Sequence, residues 1–376
     1  MKSVVAHLTN EYLPLTQTWL YNNQIINLKR HKPIVIAQIK MNLDKFPTPN
    51  LYSSQNHDFI SKIIDRVSGK LAYSYPTRYF EKIIKDNNSK ILHAHFGTEG
   101  VRYLKLKRNL NLPMVTTFYG LDVSIVPRKL FWKKRYNQLF QEGELFLTEG
   151  KHMRGELIKL GCPEDKVIVQ HLGIDLKKIN FFPRIFPDNE IVRILIAGSF
   201  REKKGIPYAI KAFAKVIESH PNIQLRVLGD GPLRGQIESL IRKFGISKSV
   251  MLLGYQPYDV FLQEAANAHI FMLPSITAQN GDTEGGAPVT IIEAQATGLP
   301  VISSYHADIP EVVVDGKSAL LAQEKDVETL AEHLEYLVEH PNLWEKMGRA
   351  GRVHVEQQYD LKAQVERLEN IYDTML

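Results

Sequence analysis

Residues 281–298 read GDTEGGAPVTIIEAQATG, a pattern that predicts a glycine-rich turn leading into a helix. Pro288 suits the first helical position, where its missing N–H costs nothing. Gly298, which Leu299 and Pro300 follow, is expected to end the helix. The amides just before this helix would form an anion site of the kind that binds a pyrophosphate. Those amides belong to Gly285, Gly286 and Ala287.

Two carboxylates flank the predicted phosphate turn. Glu284 precedes it and could contact a sugar, whereas Glu293 lies inside the helix and could hydrogen-bond a ribose diol. A carboxylate, an anion cradle and a second carboxylate, in that order, favour a nucleotide-sugar site.

Length and composition narrow the class of protein. The chain has 376 residues, of which 44% are hydrophobic, and this suits two domains or a few. A single cysteine, Cys162, excludes an intrachain disulfide framework and fits a reducing compartment. The N-terminal apolar run is too short for a signal peptide, and no run approaches the roughly 18 residues of a membrane span. We therefore expect a cytoplasmic protein.

The formal net charge is +6, and one basic cluster stands out between Arg128 and Tyr136. A solvated helix face accounts for this cluster as well as any other explanation. The alternative is an anionic membrane surface bound through Arg128–Arg135, with Phe131 and Trp132 entering the headgroup layer and the protein peripheral on the inner membrane. Single-stranded nucleic acid is least favoured, because no nucleic-acid-binding signature accompanies the cluster.

Short apolar strands alternate with amphipathic helices throughout, which predicts buried parallel sheets. The fold class is therefore α/β, with two Rossmann-like, doubly wound parallel-sheet domains facing a central cleft. We expect domains over 1–182 and 183–357, followed by a helix over 358–376 that packs back on the first domain. The predicted strands lie near residues 4–8, 33–39, 90–93, 114–118, 145–148, 167–170, 192–197, 224–228, 250–253, 270–273, 301–303 and 319–321.

Three turns follow strands of the second half. The first, residues 197–205, reads AGSFREKKG and places Arg201 and Lys204 where both could reach phosphate oxygens. Alone, it is equally consistent with a basic surface loop. The other two turns contain Gly231, where the backbone could approach a ligand, and Tyr255, which could meet a base.

In the first half, His93 and His95 end one strand and residues 117–122 end the next. Two histidines on one strand face can indicate a metal, but no third ligand lies nearby in sequence, so we favour hydrogen-bonded or substrate-contacting histidines. Serine-nucleophile, P-loop and dinucleotide-binding glycine motifs are absent from the sequence.

The second half resembles the retaining glycosyltransferases of family 4, which have the GT-B fold. The resemblance covers residues 192–356. Its motifs are Phe200–Gly205, Gly229–Pro232, Gly254, Glu284 with residues 293–302, and Ile309 with Pro310 and Glu311. The first half is similar more loosely, through residues 93–97, 117–122 and 161–175. Branches that build bacterial exopolysaccharide and lipopolysaccharide are the most similar.

This resemblance implies transfer of a sugar from a nucleotide diphosphate, with UDP favoured over GDP, to a glycan or lipid-linked acceptor. It implies no bound metal and no cofactor. Lys204, with Arg201 and the turn amides, would hold the diphosphate, Glu293 the ribose and Glu284 the donor sugar. Stabilising the charge on the departing diphosphate is then the main catalytic task. The expected donor-binding residues are Ser199, Arg201, Lys204, Gly231, Tyr255, Glu284, Gly285, Gly286, Ala287, Pro288 and Glu293.

The sequence departs from the family pattern in four places. Eight residues rather than seven separate Glu284 from Glu293, so Asp282 could share the first carboxylate role. Ser199 replaces a common phosphate-binding arginine, for which Arg201 would compensate. Tyr119 replaces a frequent cleft histidine, and residues 12–19 replace a glycine-rich turn. The residues expected on the acceptor or sugar side are Leu15, Thr16, His95 and Tyr119.

Two other classes of protein remain open. One is a GT-B relative with different chemistry, such as a phosphorylase or a sugar-nucleotide epimerase. The other is a non-catalytic protein that binds an anionic surface.

Overall fold

The computed structural model describes residues 2–14, 17–55, 77–187 and 191–376. Contacts divide the chain into two compact units, one of Met1–Gly173 with Leu361–Leu376 and the other of Ile174–Asp360. Each unit is built on one parallel sheet, as the alternation of apolar strands and amphipathic helices predicts. Within the described part of the chain, no helix combines the length and the apolar character needed to cross a bilayer.

The first unit contains a seven-stranded sheet in the order β3-β2-β1-β4-β5-β6-β7. The order reverses between β1 and β4, which creates a crevice at their carboxyl ends where doubly wound sheets bind ligands. Strand β3 was not predicted, because its three residues lie in a polar and irregular stretch of the sequence. The strands are Val4–Tyr12 (β1), Lys32–Lys40 (β2), Leu51–Ser53 (β3), Ser89–His95 (β4), Met114–Thr117 (β5), Leu145–Thr148 (β6) and Val167–Val169 (β7).

The second unit contains a six-stranded sheet in the order β10-β9-β8-β11-β12-β13, and its order reverses between β8 and β11. Apolar side chains on both faces of this sheet are fully buried, including those of Ile194 and Leu195, which are consecutive on β8. The strands are Val192–Ala197 (β8), Ile223–Leu228 (β9), Val250–Gly254 (β10), Ile270–Met272 (β11), Val301–Ser304 (β12) and Ala319–Ala322 (β13).

Helices cover both sheets. Those of the first unit are Thr18–Leu20, a π-helical turn over Tyr21–Ile26, Thr77–Asp86, Gly97–Leu110, Leu121–Ser124, Leu130–Glu142, Lys151–Lys159 and Leu361–Asp373. Those of the second unit are Ile206–Ser219, Arg234–Lys243, Tyr258–Asn267, Val289–Thr297, Ile309–Val312, Val327–Glu339 and Trp344–Gln358. Single 3-10 turns occur at Val126–Arg128, Glu164–Lys166, Glu202–Lys204 and Pro341–Leu343.

The C-terminal helix Leu361–Asp373 lies against the first sheet. Its Tyr372 hydroxyl is 2.6 Å from Nδ1 of His93. Its Glu369 side chain accepts hydrogen bonds from the backbone amides of Arg30 and His31, at 2.6 and 3.1 Å. These buried polar contacts and the apolar stripe that includes Val365 and Leu368 hold the helix in the first unit.

Candidate functional site

The phosphate-turn residues of the second unit lie at the point where its strand order reverses. Lys204 belongs to the loop that follows β8, and Glu284 to the longer loop that follows β11. Gly205 has a φ of 65°, and a Cβ there would lie 1.7 Å from the Pro274 carbonyl oxygen. Only glycine therefore lets these two loops approach so closely.

Lys204 and Glu284 form an ion pair across these loops. Lys204 Nζ lies 2.9 Å from Glu284 Oε2, and the two side chains are only 15% and 7% exposed. Ser275 Oγ donates to the other carboxylate oxygen at 2.9 Å. Burial alone would raise the pKa of Glu284, but the charges of Lys204 and Lys203 outweigh it and hold that pKa below its usual value. The carboxylate is therefore charged and held by two partners.

Asp282, the other carboxylate considered for this role, faces a different lysine. Lys203 Nζ lies 3.3 Å from Asp282 Oδ1 and donates to the Thr283 carbonyl oxygen at 2.9 Å. Two adjacent lysines therefore hold the two ends of the 282–284 segment, with Glu284 opposite Lys204.

Glu293 lies on the helix Val289–Thr297, which is pinned to β8 by a 3.1 Å hydrogen bond from Thr290 Oγ1 to the Ala197 carbonyl oxygen. Burial raises the pKa of Glu293 to about 7, and an interaction with the Tyr258 hydroxyl offsets this only in part. A carboxyl group whose pKa lies near 7 is partly ionised at neutral pH. Held in place by the helix, it can accept hydrogen bonds from a diol once it is ionised.

The helix begins one residue later than predicted. Pro288 has an extended ψ of 123° and precedes the first helical residue, Val289. Its carbonyl oxygen accepts a hydrogen bond from the Ile291 amide at 3.0 Å, as an N-cap residue does. The Gly285 amide donates to Thr283 Oγ1 at 3.1 Å.

Four other predicted donor residues lie in the turns that follow β8, β9 and β10. Gly231 is partly buried, and its amide donates to the Asp230 side chain at 2.7 Å. Ser199, Arg201 and Tyr255 are exposed. Arg201 forms no ion pair with any described residue, in contrast to the two neighbouring lysines.

Sequence reasoning missed a second pair of side chains in this site. His306 follows β12, and its Nε2 accepts a hydrogen bond from the Glu284 amide at 3.1 Å. Its Nδ1 lies 2.6 Å from Glu324 Oε1. Neither residue belongs to a recognisable motif, and only the adjacency of β11, β12 and β13 in the sheet brings them to Glu284.

In the first unit, His93 and His95 meet a third histidine, His7 on β1. The sequence offered no third ligand nearby, because His7 is a neighbour only through the β1–β4 pairing, in which it lies opposite His93. His7 Nδ1 is 3.0 Å from His95 Nε2, and His95 Nδ1 is 2.9 Å from the Tyr119 hydroxyl. His93 Nε2 is 2.7 Å from Thr117 Oγ1.

All three histidines are fully buried, and burial lowers the pKa of His7 to about 3 and those of His93 and His95 well below their usual value. The rings are therefore neutral and bonded to one another and to the hydroxyl groups of Tyr119, Thr117 and Tyr372. Neutral imidazole is also the form that binds a metal, so the expectation that no metal is bound stays a prediction. Tyr119 also packs against Trp19, with ring centroids 4.3 Å apart. Leu15 and Thr16, predicted beside them, lie outside the described residues.

The basic cluster occupies the helix Leu130–Glu142 and the turn before it. Leu130 and Phe131 are 67% and 41% exposed, and the Arg135 guanidinium lies 5.1 Å from the Phe131 ring centroid. Trp132, expected to be exposed with Phe131, instead packs partly buried against the core of the first unit. Phe131 is thus the more exposed of these two aromatic rings.

Two doubly wound parallel sheets, with a lysine and a glutamate paired at the reversal of the second, define a GT-B-like α/β protein. The chain also matches two family models: "Glycosyltransferase Family 4" over residues 30–178 and "Glycosyl transferases group 1" over residues 177–354. The chain belongs to this glycosyltransferase family. Its resemblance to family 4 and its GT-B fold are thereby confirmed.

Three relatives are informative. A candidate colanic acid biosynthesis glycosyltransferase, WcaL of Salmonella typhimurium, is 32% identical over 286 residues, which are 75% of this chain and 70% of WcaL. The amylovoran biosynthesis glycosyltransferase AmsK of Erwinia amylovora is 36% identical over 243 residues, 64% of this chain but only 59% of AmsK. HepE of Anabaena, solved in complex with UDP, has a TM-score of 0.80 at 15% identity, and the match covers all of both chains.

Proposed function

We propose that this protein is a retaining glycosyltransferase of cell-surface polysaccharide biosynthesis. It would move a sugar from a nucleotide diphosphate sugar, with UDP favoured and GDP second, to a glycan or lipid-linked acceptor. The observation that carries this proposal is the buried Lys204–Glu284 pair at the β8–β11 reversal, where doubly wound sheets bind ligands.

In this proposal the nucleotide sugar, when it binds, replaces contacts that the site residues otherwise make with one another. Lys204 turns from Glu284 to the diphosphate as a point charge, and Arg201 and Ser199 approach it from the exposed side of the same loop. The amides of Gly286 and Ala287, which donate to no described residue, add two more hydrogen bonds to the phosphate. Glu284 is then free to accept from sugar hydroxyls, and Glu293 accepts from the ribose.

The reaction needs no bound metal in this scheme, because Lys204 and the amides neutralise the charge that develops on the departing diphosphate. The bond from the anomeric carbon to the diphosphate oxygen breaks as the acceptor oxygen bonds to the same face of the sugar. The acceptor proton passes to the leaving phosphate. Glu284 is a poor nucleophile in this scheme, since Ser275 holds one of its oxygens and the sugar hydroxyls occupy the other.

The substrates are proposed from the relatives. HepE was solved with UDP, which supports a uridine donor, and the names of WcaL and AmsK support an exopolysaccharide pathway. Acceptor contacts are assigned to Leu15, Thr16 and Tyr119, and the fully buried His95 would act through its hydrogen bond to the Tyr119 hydroxyl. The exposed cations and apolar side chains of helix Leu130–Glu142 support a peripheral position on the inner membrane, where a lipid-linked acceptor would lie.

A thermal-shift screen tests the proposal. Ligand binding to the folded state raises the melting temperature by mass action, so UDP or a UDP-sugar should stabilise the protein and inorganic phosphate alone should not. Stabilisation by free phosphate with a glycan, without any nucleotide, would instead indicate a phosphorylase. Conversion of the nucleotide sugar without an acceptor would indicate an epimerase, and no response to any nucleotide would favour a non-catalytic surface-binding protein.

A further inference from the structure

His306 and Glu324 connect three loops of the second unit. His306 follows β12, Glu324 follows β13, and Thr277 and Glu284 lie in the long loop after β11. Glu324 accepts hydrogen bonds from the Thr277 amide at 2.8 Å and the Thr277 hydroxyl at 3.1 Å. His306 accepts from the Glu284 amide. The two side chains therefore hold the same loop at two points.

The partners of His306 decide its tautomer. A backbone amide can only donate, so Nε2 of His306 must be the unprotonated nitrogen that accepts from Glu284. The ring proton then lies on Nδ1 and is donated to Glu324 Oε1 at 2.6 Å. Carboxylate, imidazole and amide form one directional chain of hydrogen bonds that ends on the backbone of Glu284.

The surroundings make this chain rigid. His306 is only 3% exposed, so its ring has little room to rotate. Two residues on, the Asp308 amide donates to the Gly286 carbonyl oxygen at 3.2 Å, which fastens the other side of the same turn. Burial would raise the pKa of Glu324, but hydrogen bonds from Thr277 and His306 hold it below its usual value, so the anchor stays charged.

We propose that His306 is a positioning residue for the donor site, held in one tautomer by Glu324, and that it fixes the backbone from which Glu284 meets Lys204 and the sugar. This inference rests on the proposed function. The loop from 273 to 288 has no regular structure, so its conformation depends on such side-chain anchors. A displacement of about 1 Å in a catalytic group costs on the order of 100-fold in rate.

Kinetics of three variants test the role. His306→Phe removes both hydrogen bonds, and we expect kcat/KM for the donor to fall by about 10- to 100-fold. His306→Gln keeps an oxygen near the Nε2 position and should recover most of that loss. Glu324→Gln weakens the hydrogen bond from His306 without changing the size of the side chain, so it should also lower kcat/KM. This variant still tests the role if His306→Phe does not fold. His354→Gln is the matched control, because His354 Nε2 also bonds a backbone group, the Glu311 carbonyl oxygen at 3.0 Å, outside this site.

The tautomer supplies a readout that does not depend on turnover. In a ¹⁵N-histidine-labelled wild-type protein, the imidazole signals that disappear in His306→Gln should show the Nδ1–H form. An Nε2–H form, or unchanged kinetics in both His306→Phe and Glu324→Gln, would overturn the inference. If the wild-type protein binds no nucleotide sugar, the proposed function fails instead. The ¹⁵N signals then still test whether His306 is held between Glu324 and the Glu284 amide.

Discussion

Lys204 and Glu284 lie 80 residues apart in the chain, and their side chains meet at 2.9 Å in a largely buried ion pair. A buried charge without its partner costs far more than an exposed one. The pair therefore holds both charged groups in place until an anionic ligand can replace the carboxylate as the partner of Lys204.

Lys204→Ala should abolish transfer while the protein stays folded. We expect a loss of about 100- to 1,000-fold in kcat, because the side chain faces the charge that develops on the diphosphate. Glu284 would be left buried without its cation, so the melting temperature should also fall. Nucleotide release measures the first effect and circular dichroism the second.

Lys215→Ala is the matched control for that variant. Lys215 also forms an ion pair, 2.9 Å from Glu328, but the two side chains are 50% and 72% exposed. Exposed pairs contribute little, so both turnover and stability should stay close to wild type. Normal turnover of Lys204→Ala would remove Lys204 from the mechanism.

The raised pKa of Glu293 predicts opposite pH trends for stability and donor binding. Its carboxyl ionises at about 7 in the folded protein, against 4.5 as the usual value. Between these values the folded state holds more protons than the unfolded state, so the free energy of unfolding should fall as pH rises, by up to about 3 kcal/mol. Donor affinity should rise over pH 6 to 8, because the ionised carboxylate accepts the ribose hydrogen bonds.

Glu293→Gln separates these effects. Its free energy of unfolding, measured by urea denaturation, should lack the decrease between pH 4.5 and 7 that Glu293 causes in the wild-type protein. Its affinity for a UDP-sugar should be low and independent of pH. A wild-type affinity that does not change from pH 6 to 8 would contradict the assignment of Glu293 to the ribose.

Gly205→Ala tests the close approach of the two loops. The added Cβ would lie 1.7 Å from the Pro274 carbonyl oxygen at a φ of 65°, so the β8 loop must shift and carry Lys204 with it. We expect a loss of stability of more than 1 kcal/mol and weaker donor binding. Gly235→Ala is the contrast, since its Cβ would meet nothing within 4 Å and it lies in the helix Arg234–Lys243. That variant should be neutral or more stable by about 0.5 kcal/mol.

Most strands could be predicted from sequence, because buried parallel strands form continuous apolar runs such as Val192–Ala197. Lys204 and Glu284 could be placed together for the same reason, since each follows a strand of the predicted sheet. The resemblance to family 4 then indicated a nucleotide diphosphate sugar as the ligand, which the spacing of the site residues alone could not identify.

The missed contacts are those that depend on strand order. His7 lies opposite His93 because β1 pairs with β4, although the two histidines are 86 positions apart in the sequence. His306 reaches Glu284, and Glu324 reaches His306, because β11, β12 and β13 are neighbours in the sheet. A lone histidine after a strand gives no sign of its partner, and the extended ψ of Pro288 depends on turn geometry that its residue type does not fix.

The basic helix Leu130–Glu142 predicts salt-sensitive binding to anionic membranes. Lys133 and Lys134 are exposed beside Phe131 and Leu130, and each cation near an anionic surface contributes about 1 kcal/mol. Lys133→Gln with Lys134→Gln should therefore weaken sedimentation with phosphatidylglycerol vesicles by about 30-fold, and Phe131→Ser should weaken it further. Lys215→Gln with Lys243→Gln lowers net charge equally in the second unit and is the control. An equal loss in both pairs would mean that net charge, rather than this helix, drives binding, and the helix would then be a solvated face.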